Sequence, residues 1–194
     1  LMKLVNQLME MYQLDAGFAK LKVSEENLSH FVHTIFESFT YKAAQKNLHF
    51  HLFNEIDQDY IGFIDQDKME KILNNLISNA IKFTPQGGKV QVTLHQTDAE
   101  QLHLQVRDTG PGIAPEKLPL IFDRFYQIDP SETREGEGTG IGLSLTKELV
   151  RLMKGEITQE RVASILAQQS AAQQSSDLTL QNITELGPSN IGGR

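Results

Sequence analysis

The chain has 194 residues, 39% of them hydrophobic and 22% charged, with no cysteine and a formal net charge of -7. These figures describe an ordinary globular protein, one full domain with room for a smaller appendage. They exclude disulfides, thiolate chemistry and cysteine-ligated zinc, and the acidic balance argues against a nucleic-acid partner, which selects a basic face. The lack of cysteine fits a reducing, cytoplasmic setting. No apolar run approaches the roughly 20 residues needed to cross a bilayer. No signal peptide opens the sequence, so no membrane contact is expected of this stretch. The start, Leu1-Met2-Lys3, is not an initiator sequence and suggests a piece of something longer.

In chain order, Leu1, Leu4, Leu8, Met11 and Tyr12 form a short helical stripe broken near Asp15-Ala16-Gly17. A helix this short is marginal alone and must dock on something. Ser24, followed by Glu25 and Glu26, suggests the N-cap of a second helix, whose buried stripe is Leu28, Phe31, Val32, Ile35, Phe36 and Phe39. Strands are predicted at Leu48–Phe53, Ile61–Ile64, Lys89–Gln96 and Leu102–Asp108. In the first of these, His49 and His51 alternate with apolar residues and face away from the core; with no other ligand nearby in sequence they are a poor metal pair. Asp65 is placed to cap a long helix whose apolar positions are Met69, Ile72, Leu73, Leu76, Ile77 and Ala80.

That helix carries Asn75 and Asn79, four residues apart and therefore on one side, with Lys82 three residues further on. Asparagine disfavours helix interiors because its amide competes for backbone hydrogen bonds. Two amide oxygens beside an ammonium suit a hard cation bridged to phosphates. The same pattern also suits a polar helix edge facing solvent, and the helix alone does not decide between them. Downstream lie Asp108-Thr-Gly110-Pro-Gly112-Ile at a strand end, Phe122-Asp-Arg124-Phe125, and Gly136-Glu-Gly138-Thr139-Gly140-Ile-Gly142-Leu143 before another apolar helix that starts at Thr139 or Gly140.

Together these four elements, in this order, resemble the ATP-binding catalytic domain of sensor histidine kinases, within the gyrase-type ATPase superfamily. The asparagine helix is similar to that family's N box, and Asp108 to Gly112 to its first glycine box. Phe122 to Phe125 resemble its phenylalanine box, and Gly138 to Gly142 its second glycine box. The resemblance implies an α+β fold: a two-layer sandwich of a mixed, mostly antiparallel sheet with helices on one face, plus a short N-terminal helix. It implies ATP and Mg2+ as ligands of a bacterial signalling module.

By that resemblance Asp108 accepts from the adenine amine, while Gly110 and Gly112 admit the base and hinge a lid. Gly138, Thr139, Gly140, Gly142 and Leu143 line the phosphates at a helix N-terminus. Asn79, with Asn75 behind it, holds the metal, and Lys82 offsets phosphate charge. Arg124 either reaches the terminal phosphate or pairs with the dimerisation helices, while Phe122 and Phe125 anchor the lid by packing. Asn75, Asn79, Lys82 and Arg124 are thus the implied catalytic set. Asn75 stands where related hydrolases carry a glutamate, and an amide cannot be a general base at neutral pH. The nucleophile must then be a histidine on a dimerisation domain, and neither His30 nor His33 has the phosphoacceptor's sequence context. The implied partners are that dimerisation and phosphoacceptor domain, the receiver domain of a response regulator, and a second copy in a homodimer.

Residues 1–16 read as the end of the dimerisation helix, 17–158 as the ATP-binding domain, and 159–194 as an atypical low-complexity segment rich in Gln, Ser and Ala. The family's usual closing hairpin turn is missing after Ile157, although Leu178–Ile183 has the makings of a strand. That departure leaves room for a non-catalytic nucleotide-binding regulatory module. An anti-sigma-factor-type serine kinase, which shares the fold, is a further alternative.

Overall fold

The computed structural model describes residues 2–97, 101–128, 139–162 and 175–181. Helix α1 (Met2–Asp15) ends where Gly17 adopts φ +70°. It docks through Met11, which is buried, with Leu4 and Leu14 beside it, whereas Leu8 and Tyr12 are exposed. The docked stripe is therefore offset from the expected one by part of a turn.

The next difference is at Ser24. Instead of capping a helix, Ser24–Asn27 forms strand β1, paired antiparallel with β3 (Ile61–Ile64). The cap moves to Asn27, whose side-chain oxygen accepts from His30 N at 2.8 Å and starts α2 (Leu28–Ser38). Asparagine is at least as good an N-cap as serine, and pairing satisfies the backbone of 24–27. A short α3 (Thr40–Gln45) then leads into β2 (His49–Asn54), where His49 and His51 are exposed as expected.

Helix α4 (Gln66–Phe83) is capped by Asp65, as the sequence predicts. Strands β4 (Lys89–Gln96) and β5 (Leu102–Asp108) follow, then a 3-10 turn at Leu118–Leu120, helix α5 (Gly142–Leu152), and strands β6 (Glu156–Val162) and β7 (Ser175–Gln181). Helix α5 begins two to three residues later than expected, with Ile141 as its N-cap.

The main sheet has the order β2-β4-β5-β7-β6, parallel only between β2 and β4. Val90, Val92 and Leu94 of β4 and Leu102, Leu104 and Val106 of β5 alternate inward. They meet Ile72, Leu73, Leu76 and Ile77 of α4 and Leu145, Leu149 and Val150 of α5. Helices on one face of a mixed, mostly antiparallel sheet make the α+β sandwich expected. Strand β7 arises within the stretch set apart by its composition, and completes the sheet between β5 and β6.

Candidate functional site

Helix α4 brings Asn75 to the side that faces α5. Asn75 Nδ2 donates to Thr146 Oγ1 at 2.9 Å, and a Cβ on Gly142 would lie 2.4 Å from Asn75 Oδ1. Only glycine at 142 lets the first turn of α5 approach the Asn75 amide this closely. Asn75 therefore acts between the helices, and sequence reasoning missed Thr146, because nothing local links positions 71 residues apart. Asn79, one turn further along α4, is half-buried. The Lys82 ammonium lies 5.1 Å from the centre of the Phe83 ring, within cation–π range.

Asp108 ends β5, and its Oδ1 accepts from Gly110 N at 2.7 Å. This is the local turn that Asp before Thr-Gly builds. Gly110 is buried, and a Cβ there would sit 2.6 Å from Asp108 Oδ1 and 3.1 Å from the Phe83 carbonyl oxygen. Thus the first glycine turn rests directly on the last turn of α4. Gly112 takes φ +71°, a conformation glycine adopts without strain.

The phenylalanine segment packs against the chain just before α5. Phe125 N donates to the Gly140 carbonyl at 2.9 Å, and Gly140 (φ +66°) leaves no space for a side chain against the Phe125 backbone. Phe125 itself has φ +63° and a side chain that is 62% exposed, so it does not pack as expected. Phe122 lies under the Lys147 ammonium at 5.4 Å. Ile141 makes no side-chain cap bond, which leaves the first amides of α5, from Gly142 and Leu143 onward, without one among the described residues. Gly138, also among the expected phosphate-lining residues, lies outside the described residues.

Arg124 is held. Its guanidinium pairs with both oxygens of Asp15 at 2.7 and 2.6 Å, joining the phenylalanine segment to the end of α1. The bond from Arg124, with its charge, holds the Asp15 carboxyl below its ordinary range and raises Arg124 in return. Arg124 thus pairs with the N-terminal helix. Thr139 Oγ1 donates to Gln7 Oε1 at 3.0 Å, and Lys71 bridges Glu10 and Asp67 at 2.8 Å each. One side of α1 is thus fastened to three surrounding segments. Asp15, Gln7 and Glu10 escaped the sequence reading because each partner lies about 60 residues or more away.

Among the described residues no three His, Asp or Glu side chains converge as a metal cluster. A magnesium ion accompanying a nucleotide does not need one, since it keeps several waters and takes phosphate oxygens. The amide oxygen of Asn79 fits that chemistry better than Asn75, whose amide is engaged by α5.

A two-layer sandwich with an asparagine helix, a carboxylate at a strand end and a glycine-rich helix start defines a nucleotide-binding class. The chain belongs to the family described as histidine kinase-, DNA gyrase B- and HSP90-like ATPase, whose model matches residues 64–181. It is 41% identical over 168 residues to hybrid signal transduction histidine kinase D of Dictyostelium discoideum, covering 84% of this chain and 11% of that protein. It is 34% identical over 158 residues to the sensor histidine kinase WalK of Bacillus subtilis, covering 81% and 26%. The chain thus spans about a quarter or less of these relatives. Among solved structures it resembles full-length ShkA in complex with AMPPNP, with TM-score 0.75, 23% identity, and 93% of this chain and 35% of that one covered. It also resembles the catalytic domain of the histidine kinase ThkA, with TM-score 0.69, 22% identity, and 84% and 97% covered. At these identities the structures speak for the fold alone. Among the described residues no helix is long and apolar enough to cross a membrane.

Proposed function

We propose that this chain is the ATP-binding catalytic part of a two-component sensor histidine kinase. It would transfer the terminal phosphoryl group of ATP to a histidine on a dimerisation domain. The observation that carries this reading is the juxtaposition of α4, the Asp108–Gly112 turn and the uncapped start of α5. On this reading the Asn79 amide oxygen, the Lys82 ammonium, the Asp108 carboxylate and the first amides of α5 serve one nucleotide.

Asp108 accepts the adenine amine, since a carboxylate at a strand end is an acceptor only. Gly110 and Gly112 admit the base. Thr139, Gly140, Gly142 and Leu143, with Gly138 before them, present amides and a helix N-terminus to the phosphates. Asn79 would supply an oxygen to Mg2+, whose charge would offset part of the phosphate charge, and Lys82 would offset what remains. Asn75 keeps α5 in register through Thr146 and, being an amide, activates no water. Positioning and charge neutralisation are then the site's contribution to in-line transfer.

On this reading residues 1–16 are the end of a dimerisation helix and 17–158 the body of the catalytic domain. The low-complexity stretch 159–194 lends that body its last sheet strand. The dimerisation and phosphoacceptor domain, a homodimeric partner and a response-regulator receiver domain complete the system, in the cytoplasm. Alone, the chain binds MgATP and phosphorylates nothing in itself.

Calorimetry tests this. MgATP should bind with micromolar-to-millimolar affinity only when magnesium is present, and Asn79→Ala and Asp108→Ala should each lose it while remaining folded. Wild-type affinity in both variants would refute the assignment.

A further inference from the structure

Helix α4 ends in a way its own sequence does not explain. The last four carbonyls of a helix lack intrahelical partners and carry its negative dipole end. At α4 the Ala80 carbonyl takes Thr84 N at 3.0 Å and Thr84 Oγ1 at 2.6 Å. The Ile81 and Lys82 carbonyls take one side-chain donor between them: Lys46 Nζ, at 2.8 and 2.7 Å. Lys46 lies 35 residues upstream, at the C-cap of α3, on a segment the functional motifs do not include.

Its neighbours grip the same place, because His49 N donates to the Gly88 carbonyl at 2.8 Å, just beyond the helix. The carbonyls that Lys46 holds flank the Lys82 Cα and lie within two residues of Phe83, whose carbonyl oxygen abuts Gly110. A burial cost accompanies this position: desolvation pulls the Lys46 ammonium below its ordinary range, and Lys42 adds to the effect. An exposed lysine would avoid that cost.

We infer that Lys46 is a positioning residue of the nucleotide site, capping the carbonyl end of α4 so that Lys82, Asn79 and the first glycine turn keep their relative places. The inference rests on the nucleotide-binding reading above. Its electrostatic side follows from the same geometry. Phosphates brought to the last turns of α4 meet the negative end of a helix dipole, which a cation fixed on those carbonyls cancels.

The test compares Lys46→Met, which keeps the apolar stem but removes donor and charge, with Lys46→Arg, which restores both. MgATP affinity is measured by calorimetry at a temperature where circular dichroism shows each variant folded, with Asn79→Ala alongside. Lys46→Met should weaken MgATP binding about tenfold, a size set by losing a charge-assisted bond at a helix end, and Lys46→Arg should recover most of it. If Lys46→Met lowers only the melting temperature and binds MgATP like the wild type, Lys46 is merely structural and the inference falls. Should Lys46→Met not fold, Lys46→Gln, which keeps a donor without the charge, replaces it: weakened binding supports the inference and wild-type binding overturns it. An Asn79→Ala variant that binds normally would instead overturn the site reading itself, so the two failures are distinguishable.

Discussion

Helices α4 and α5 pack against one another, yet their ends are finished in opposite ways. The start of α4 is closed by buried Asp65, which accepts from Lys22 N at 2.7 Å and Lys68 N at 3.1 Å and pairs with Lys68 Nζ at 3.2 Å. Its far end is closed by Thr84 and Lys46. The start of α5 has no side-chain cap among the described residues and no acidic residue in its first turn. A helix end whose orphan groups are matched is held in place, whereas bare amides beside glycine are a ready site for an anion. On the proposed reading, the contrast separates the helix ends that must hold still from the bare helix start that would receive phosphate.

Breaking the closed end should have the largest effect. Asp65→Ala removes an N-cap and leaves Lys68, only 12% exposed, without its carboxylate. A loss of about 3 kcal/mol is expected in denaturant unfolding, combining a cap with bonds to a charged acceptor. Burial pushes Asp65 upward, but the bonds from Lys22 and Lys68 outweigh it and hold the carboxyl below its ordinary value. The stabilisation it provides is therefore complete above the ordinary Asp value of about 4 and is lost as pH falls through the lower, folded value. Asp65→Asn should flatten that acid limb of the stability curve and leave the neutral plateau's slope unchanged.

Gly142→Ala sharpens the contrast from the open end. A Cβ at 142 would meet the Asn75 Oδ1, and the Asn75 amide is already tied to Thr146. The seam must widen or that bond must break, at about 2 kcal/mol by the usual cost of overpacking. Because the seam is also the proposed phosphate wall, MgATP affinity measured on the folded variant should fall with it. A normal affinity would mean that the start of α5 does not line the site.

Much of this was legible in the sequence, for reasons that differ by element. Strands β3, β4 and β5 were readable to the residue, since alternation with period two survives burial on one face. Asp65 and the buried stripe of α4 follow from local capping and helical periodicity. Ser24 misled because Ser-Glu-Glu is a cap signal wherever it stands, and only the distant strand Ile61–Ile64 turns it into a β-bridge. The candidate site was visible as motifs but not as contacts. Thr146, Asp15 and Lys46 reach their partners across 71, 109 and 35 residues, separations to which no periodicity points. Strand β7 was half-legible, its apolar alternation at Leu178 and Leu180 embedded in a polar stretch without the usual turn.

The smallest effect on stability, and the most telling for function, is expected at Asp15. Its pair with Arg124 is bidentate but nearly half-exposed on both sides, and exposed ion pairs add little to folding. Asp15→Asn should therefore leave the melting temperature close to that of the wild type. The Arg124 bond and charge depress the Asp15 pKa, so the tether is intact above the ordinary carboxyl range and fails only as pH drops through the lower folded value. No change is due to it near neutrality. What the substitution does alter is the freedom of Arg124, a guanidinium on the segment facing the start of α5. If α1 and the nucleotide compete for that side chain, MgATP should bind Asp15→Asn about threefold more tightly, the scale of an exposed pair. Arg124→Ala should cancel the gain when combined with it. Weaker binding in Asp15→Asn would carry the opposite meaning: the tether would be holding the wall of the site in place rather than withholding a ligand group from it.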